Sequence, residues 1–484
     1  MKLHDVIIIG AGISGTSIAR ELSRYKLDIA ILEKEEELAF GVSKSNSGII
    51  HPGTQNSRHS LKGKLCVLGN KLIRKTSKEL GVDFKEVGEL IIAFKEEDLP
   101  RLARLEEEAQ SLGVPNLQIV NRSWLRTREP NLSHEALAAL YAPTAGILSP
   151  YRLVYDMAEN SIKNGVEIYT QNKVTRIGHC AAAGPASGRF FEILTSQKTF
   201  RARYLINAAG LYADEVSSLA GVNEFKIRPR KGEEFILDKK KEHLTNHLLF
   251  PLPSEISKGV LVIKTADGNP MIGPTAQDCD DKEDLSTSDD GLNKVLAGAQ
   301  RMIPSICADD IIAYFAGLRP VAGEDFIIRH EGKVPGFINV AGIQSPGLTA
   351  SAAIAVFVTD ILREHGLSLK KKRVFHGYRS KTIHLFGIPL SGTEKLIRKD
   401  PSYGDIVCRC EMVSAKEVSD AITRGAVTLD GIKFRTRAQA GRCHGGFCTT
   451  RIMKMLAEAT GNPLTGITKK GVGSEIVRED RGSD

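Results

Sequence analysis

The stretch Asp5-Val6-Ile7-Ile8-Ile9-Gly10-Ala11-Gly12-Ile13-Ser14-Gly15 opens the chain and decides how its first layer folds. Asp5–Ile9 is a continuous β-branched run, the pattern of a strand buried on both faces. It breaks at three glycines spaced G-x-G-x-x-G, and a helical pattern follows through Ile18, Leu22 and Tyr25. A second short strand, Asp28–Leu32, ends at Glu33, 18 positions beyond Gly15. The glycine spacing by itself is weak. Strand, turn, helix, strand and terminal acid in that order make it a dinucleotide fingerprint. Gly10 permits the tight turn, Gly12 lets the backbone approach a pyrophosphate, and Gly15 lets the helix pack closely on the strand. The helix N-terminus faces the negative charge. Glu33 suits ribose hydroxyls and would repel a 2′-phosphate.

The same alternation continues along the chain. Strand-like runs occur at Glu89–Ala93, Val166–Thr170, Phe191–Thr195, Tyr204–Asn207, Glu234–Leu237, Val260–Ile263, Ile311–Phe315 and Phe337–Val340. Helical patterns separate them at Leu61–Leu80, Asp98–Leu112, Tyr151–Asn164, Asp214–Leu219, Asp290–Met302 and Thr349–Arg363. This predicts an α/β architecture in which runs of consecutive strands form a second, mixed or antiparallel sheet. Cys279–Asp290 is acidic and polar and reads as a surface loop. The expected domains are one large domain over residues 1–370, a connection over 371–404, a compact cysteine-bearing unit over 405–470 and a polar tail over 471–484. The connection follows the basic run Lys370–Arg373 and is rich in Gly, Ser, Pro and Lys.

Composition sets the outer limits. A chain of 484 residues allows two to four domains, and 42% hydrophobic with 26% charged residues excludes disordered and collagen-like classes. No apolar run approaches the ~20 residues of a spanning helix. The opening segment is not expected to be a signal peptide, because Asp5 and the glycines interrupt its apolar run. The net charge, 66 − 58 = +8, is mild; it suits anionic substrates or surfaces and does not indicate nucleic acid. The eight cysteines are not spread as an extracellular disulfide scaffold, so a reducing cytoplasm is expected, with any membrane association through partners.

FAD and NAD share the opening fingerprint, and later elements separate them. Asn207-Ala208-Ala209-Gly210 ends a strand, and Ser345-Pro346-Gly347-Leu348-Thr349 opens the small-residue helix Ala350–Val358. A helix N-terminus there suits the negative charge of a reduced flavin. Three spaced nucleotide-side elements fit a long ligand better than a single NAD site.

At these residues the sequence resembles the flavin-dependent oxidoreductases of the D-amino-acid-oxidase-like superfamily. The branch it resembles holds FAD-dependent glycerol-3-phosphate dehydrogenases and L-2-hydroxyglutarate oxidases. The resemblance rests on Gly10–Gly15, Asn46–Gly53, Ala142–Gly146, Asn207–Asp214, Arg230–Glu233, Gly317–Pro320 and Ser345–Ser351, in order. It implies a Rossmann-like FAD-binding domain, an interleaved mixed-sheet substrate domain roofing the flavin, and FAD as cofactor. The cofactor residues it implies are Gly10, Gly12, Ile13, Ser14, Gly15, Glu33, Lys34, Ser47, Gly48, Val174, Ala209, Gly210, Gly347, Leu348 and Thr349.

Oxidising a secondary alcohol requires hydride departure from carbon and removal of the hydroxyl proton, most often by a histidine. The resemblance sets the Asn46–Gly53 loop against the flavin ring, where His51 is the ordinary general base. His51 is therefore expected as the base or as a ligand of the substrate hydroxyl; the plainer alternative is a histidine bonded to its own loop. An anionic substrate needs a cation, and the resemblance carries Arg319 to the substrate-anion position. A structural ion pair is its alternative. Arg230 and Lys231 are secondary candidates, or a solvated basic turn. Two stretches depart from the family pattern, Thr54–Ser60 and Asp267, and Arg58 or His59 is positioned in sequence to add positive charge.

Cys408-x-Cys410, a gap of 32 residues and Cys443-x4-Cys448 place four thiols in two close pairs. That is a metal-ligand arrangement, and C-x-C is too tight for a zinc knuckle. The segment resembles the bacterioferritin-associated-ferredoxin-like domain, which implies a small, mostly helical unit holding a [2Fe-2S] cluster on Cys408, Cys410, Cys443 and Cys448. Zinc, or cysteines that hold no metal, are the alternatives. A fused one-electron carrier implies stepwise discharge of electrons to a partner, a second flavoprotein or other redox subunit. The leading expectation is thus oxidation of glycerol 3-phosphate to dihydroxyacetone phosphate. The alternatives are a dehydrogenase of L-2-hydroxyglutarate or another 2-hydroxy acid, amine oxidation, and a non-catalytic FAD/Fe-S electron-transfer subunit.

Overall fold

The computed structural model describes residues 1–181, 189–253 and 258–478. The last six residues of the expected polar tail, 479–484, lie outside the described residues. The chain forms two compact units. The first comprises Met1–Lys34 and Ala39–Arg379; the second comprises Glu35–Leu38 and the chain from Ser380 on.

The first unit contains two large sheets. The opening strand Leu3–Ile9 lies between Ile29–Leu32 and Thr199–Asn207, parallel to both, with Ile7 opposite Ala30 and Leu205. Glu167–Tyr169 and Phe337–Ala341 extend the parallel order on either side. Ile327–His330 closes one edge antiparallel; Arg189–Thr195 pairs antiparallel with Thr199–Asn207, and Val174–Ala181 pairs antiparallel with Arg189–Thr195. The opening strand is apolar throughout because both its faces are covered: Val6, Ile7 and Ile8 are fully buried. The helix Ile13–Leu22 packs against Gly347–Glu364. At Gly15 a Cβ would lie 1.9 Å from the Gly10 carbonyl, so only glycine permits this turn.

The second sheet runs Gln277–Asp278, Arg228–Leu237, Pro270–Gly273, Leu261–Lys264, Leu248–Pro251, Glu89–Ala93, Ala138–Ala142, Gln118–Asn121. Ile311–Val321 flanks Arg228–Leu237 along its whole length. All these strands pair antiparallel except Leu248–Pro251 with Glu89–Ala93, so the sheet is mixed. Its strands fall in sequence between those of the parallel sheet, which makes the two subdomains interleaved. Alternation assigns the faces. Phe235 and Leu237 join Val295, Ala299 and Met302 of the helix Asp289–Met302. Ile236 faces the other way, into a cluster with Ile49, Ile91, Phe250, Met271 and Phe315. Glu233 points to the helix side, where it accepts from the Ser288 N–H and holds the helix N-terminus.

The second unit is small and mostly helical: Ala415–Thr423, Leu429–Thr436 and Thr449–Thr460 enclose Val418, Ala421, Ile432, Ile452 and Leu456. Ser414 and Glu417 form a reciprocal capping box that fixes where the first helix starts. Glu37 pairs with Arg435 at 2.8 Å, both buried, and this accounts for the segment Glu35–Leu38 in this unit.

Several elements differ from the sequence expectation. Within 371–404 the segment Leu390–Lys399 is a helix, with Glu394 paired to Arg398 one turn on. It is short, has only Leu390, Leu396 and Ile397 as large apolar residues, and buries none of its side chains. Arg228–Leu237 and Ile311–Val321 are much longer than their apolar runs, because each supplies the other's hydrogen-bond partners through Arg, Lys and Gly positions. Arg230 and Lys231 accordingly lie in a strand, not a turn. Among the described residues no helix is long and apolar enough to cross a membrane.

Candidate active site

The cofactor cradle is built from backbone. Gly10 adopts φ +104°, and a Cβ on it would strike the Ala208 carbonyl at 2.5 Å, so the turn lies directly against the Asn207–Gly210 element. Glu33, at the end of its strand, is buried and accepts from the Ala11 N–H at 2.7 Å. Lys34 extends its ammonium over the Tyr212 ring. Val174 is packed in the core beside Ile7 and Leu32. Ile13 donates its N–H to Ser43 Oγ, and Ser14 and Gly15 follow in the first turn. Both Ile13–Leu22 and Gly347–Glu364 begin with no side-chain cap and no acid in the first turn. Ser43 takes the Ile13 N–H from outside the helix; N-termini without a cap residue or acid of their own suit an anionic ligand. A cradle that Cβ atoms would fill, an acid at the ribose position and two open helix starts fit FAD.

The Asn46–Gly53 loop is tied to the second helix start. His51 donates its N–H to Thr349 Oγ1 at 2.8 Å, and its carbonyl accepts from Asn70. Gly48, at φ +80°, passes so near the Leu148 carbonyl that a Cβ would lie 2.3 Å from it. Ser47 precedes it, half-buried. The roof closes on the same loop: a Cβ on Gly317 would meet Ser45 Oγ at 2.7 Å. Ser47, Gly48, His51, Gly347, Leu348 and Thr349 are thus brought together.

His51 is buried, and three residues from distant parts of the chain surround its ring. Nδ1 faces Glu89 Oε2 at 3.6 Å. Nε2 lies 3.5 Å from Lys258 Nζ and 3.3 Å from Ser345 Oγ. Glu89 is fully buried and accepts from the Thr54 hydroxyl. A carboxylate at Nδ1 keeps the proton there and leaves the lone pair on Nε2. Burial first, and the Lys258 charge second, push His51 down to about 4 against the pull of Glu89. The ring is therefore neutral near pH 7, the form that accepts a proton. Burial also depresses the Lys258 ammonium.

Arg319 extends from the roof strand over Gly232, where a Cβ would lie 2.5 Å from its Nη2, and both terminal nitrogens reach the Thr275 carbonyl at 3.3 Å. Burial lowers its pKa, and among the described residues no carboxylate lies within ion-pair distance of it. Arg230 and Lys231 are engaged elsewhere, with Asp278 and Asp284 at 2.6 Å each. Asp267 pairs with Arg152 at 2.9 Å and accepts from the Tyr151 hydroxyl, so that departure is a structural tie. Arg58 and His59 are exposed, with their side chains against each other.

Sequence reasoning missed Glu89, Lys258 and Ser345 as site residues. Glu89 carried one signal, a carboxylate heading an otherwise apolar strand, Glu-Leu-Ile-Ile-Ala. Lys258 carried none.

In the second unit the thiols stand as two couples. Cys410 Sγ and Cys443 Sγ are 3.5 Å apart, and Cys408 is hydrogen-bonded to Cys448. The Cys448 thiol, with the N–H groups of Gln439 and Glu411, lowers Cys408 to about 6. Among the described residues no three Cys, His or acidic groups converge as a single-ion site would require. Two couples, with N–H groups aimed at sulfur, fit a dinuclear cluster taking two thiolates per iron better than tetrahedral zinc.

Cradle, buried base and roof arginine define a flavin-dependent oxidoreductase. The chain belongs to the family described as FAD dependent oxidoreductase, whose model matches residues 5–361, and residues 406–458 match the BFD-like [2Fe-2S] binding domain. Its cofactors are FAD and a [2Fe-2S] cluster, and it is an FAD-dependent oxidoreductase acting on CH–OH groups. It is 41% identical over 480 residues to a glycerol 3-phosphate dehydrogenase of Caloramator mitchellensis, covering 98% of each chain. It is 30% identical over 414 residues to a mitochondrial L-2-hydroxyglutarate dehydrogenase of Nematostella vectensis, covering 74% of this chain and 90% of the relative. Among solved structures it resembles an L-alpha-glycerophosphate oxidase of Mycoplasma pneumoniae with FAD bound, at TM-score 0.73 and 31% identity, covering 78% of this chain and 99% of that one.

Proposed function

We propose that the protein oxidises the secondary alcohol of glycerol 3-phosphate to dihydroxyacetone phosphate and passes the electrons through its [2Fe-2S] cluster to a partner acceptor. The observation that carries the reading is the neutral, buried His51, with its lone pair on Nε2 between Lys258 and Ser345 and a carboxylate behind Nδ1. Gly10, Gly12, Ile13, Ser14, Gly15 and Glu33 hold the nucleotide half of FAD, with Lys34, Val174, Ala209 and Gly210 beside it. Ser47, Gly48, Gly347, Leu348 and Thr349 hold the ring. When bound, FAD would supply a hydride acceptor for the carbinol carbon, and a [2Fe-2S] cluster on Cys408, Cys410, Cys443 and Cys448 would supply a one-electron carrier.

His51 Nε2 takes the hydroxyl proton, and the carboxylate of Glu89 stabilises the imidazolium that results. Lys258 opposes protonation in the resting site and favours negative charge developing on the substrate oxygen. Arg319 binds the phosphate. Near-complete alignment with a glycerol 3-phosphate dehydrogenase supports this substrate over a 2-hydroxy acid.

Anaerobic bleaching of the flavin tests it. Glycerol 3-phosphate should bleach the oxidised band within one turnover. Bleaching by L-2-hydroxyglutarate or an amine alone, with glycerol 3-phosphate inert, would refute the assignment. A one-electron acceptor should then reoxidise the substrate-reduced protein faster with the cluster present than after its removal.

A further inference from the structure

Glu234 is a buried carboxyl that the reaction above does not use. It lies on the face of Arg228–Leu237 opposite Glu233, in the same alternation as Gly232 and Ile236, and so on the face over which Arg319 lies. It is 6% exposed, and among the described residues its Oε2 has no hydrogen-bond partner. Its stem packs closely over Gly273, where a Cβ would lie 2.9 Å from its Cγ.

Among the described residues the charges around it are few. From Ile311–Val321 it meets Arg319, with Phe315 directly opposite in register. The strand Pro270–Gly273 brings only uncharged residues. On its own face of the strand the nearest cation is Arg230, tied to Asp278; Lys231, on the opposite face, is tied to Asp284. Farther off stand Lys258, His51 and Glu89, and His51 is already neutral at the pH values of interest.

We propose that Glu234 determines the charge specificity of the substrate-anion site: as an uncharged acid it leaves Arg319 to an incoming phosphate-like dianion, and once ionised it competes for that cation. The proposal rests on the reading of Arg319 as the anion site. Among the described residues the oxygen has no hydrogen-bond partner and the arginine no carboxylate at contact distance, and the two are halves of one arrangement. Burial also raises the carboxyl to about 7, against the pull of Arg319, so the exchange falls in the working range. Binding of a dianion above that pH is accompanied by uptake of one proton on the Glu234 carboxylate, which becomes the acid; no other bond changes. Glu234 acts through Arg319 and not on the reacting carbon.

Sulfate is the probe, because it stays a dianion between pH 6 and pH 8.5. Its dissociation constant for the FAD-loaded protein is measured by calorimetry, with the flavin spectrum as a check on folding. In the natural protein it should weaken roughly tenfold or more across that range. In Glu234→Gln it should change by no more than about twofold. A flat profile in the natural protein overturns the proposal without recourse to any variant. A profile unchanged by Glu234→Gln assigns the proton to another group, of which Lys258 is the foremost, and also overturns it. Sulfate binding that survives Arg319→Ala, or no binding at pH 6, instead overturns the Arg319 reading on which the proposal stands.

Discussion

His51 presents Nδ1 to Glu89 Oε2 at 3.6 Å, inside a site where neither side chain is more than one-tenth exposed. Thr54 holds the other carboxylate oxygen, so Glu89 cannot rotate away without losing that bond. The pair orients the imidazole and supports the positive charge that it gains during turnover. Burial opposes that charge, and Glu89 is the group that offsets the opposition.

Replacing the base should therefore separate chemistry from cofactor binding. His51→Ala is expected to slow flavin reduction by glycerol 3-phosphate roughly 10²–10⁴-fold. FAD content should be unchanged, because His51 does not build the glycine cradle. Stopped-flow reduction under anaerobic conditions measures the first, and the flavin-to-protein absorbance ratio the second. Reduction at the natural rate would remove His51 from the role.

Glu89→Gln keeps the shape and the Thr54 contact but removes the charge. His51 then becomes less basic still, since Glu89 is the group raising its pKa. The rate of reduction should fall by about one to two orders of magnitude, with KM nearly constant, because a term specific to the charged imidazolium has been lost. A rise in KM at unchanged kcat would place Glu89 in substrate binding instead.

Stability should respond to pH through two buried groups of opposite sign. His51 is depressed from 6.5 to about 4, so its contribution is complete above pH 6.5 and is lost as pH falls toward 4. Glu234 is raised from 4.5 to about 7, so its contribution is complete below pH 4.5 and is lost as pH rises through 7. Each is worth on the order of 3 kcal/mol across its window. Thermal melts followed by flavin fluorescence should show Glu234→Gln gaining on the natural protein between pH 5 and pH 8. A constant difference across that range would refute the assignment to Glu234.

Gly15→Val tests the cradle. Its Cβ would stand 1.9 Å from the Gly10 carbonyl, with Ile8 also in contact, so the turn must open. The purified variant should lose most of its yellow colour, while acid-labile sulfide from the other unit stays near the natural level. Full retention of FAD would mean that the turn has more freedom than its geometry allows.

Cys410→Ser should do the reverse. Cys410 is the exposed member of the couple with Cys443, and its loss removes one of four thiolates. Iron and sulfide should drop to a minor fraction with FAD retained, and anaerobic bleaching by substrate should proceed as before. Reoxidation by a one-electron acceptor should slow severalfold. Loss of bleaching would instead mean that the cysteine unit is needed for the first half of the reaction.

Much of the fold was legible in the chain because its signals are local. The run Val6–Ile9 is apolar at every position and lies between two parallel neighbours, as such runs do. The helix Leu61–Leu80 starts and stops where its pattern says, at the Ser60 cap and at Gly81 in the left-handed region. The short strands Ala138–Ala142, Leu248–Pro251 and Pro270–Gly273 were not legible. Their composition is ambiguous, and pairing with distant strands makes them strands.

The sequence by itself determined the Gly10–Gly15 turn with its acid at Glu33, and the four grouped thiols. In both cases the chemistry belongs to residue types at short spacing: a missing Cβ, a positive φ, a sulfur ligand. Only the tertiary structure decided that residues 51, 89, 258 and 345 share one pocket, and that Arg319 turns back over Gly232 on the face that carries Glu234. Charge, tautomer and pKa there depend on burial and on partners far away in the chain, and no local window of sequence contains either.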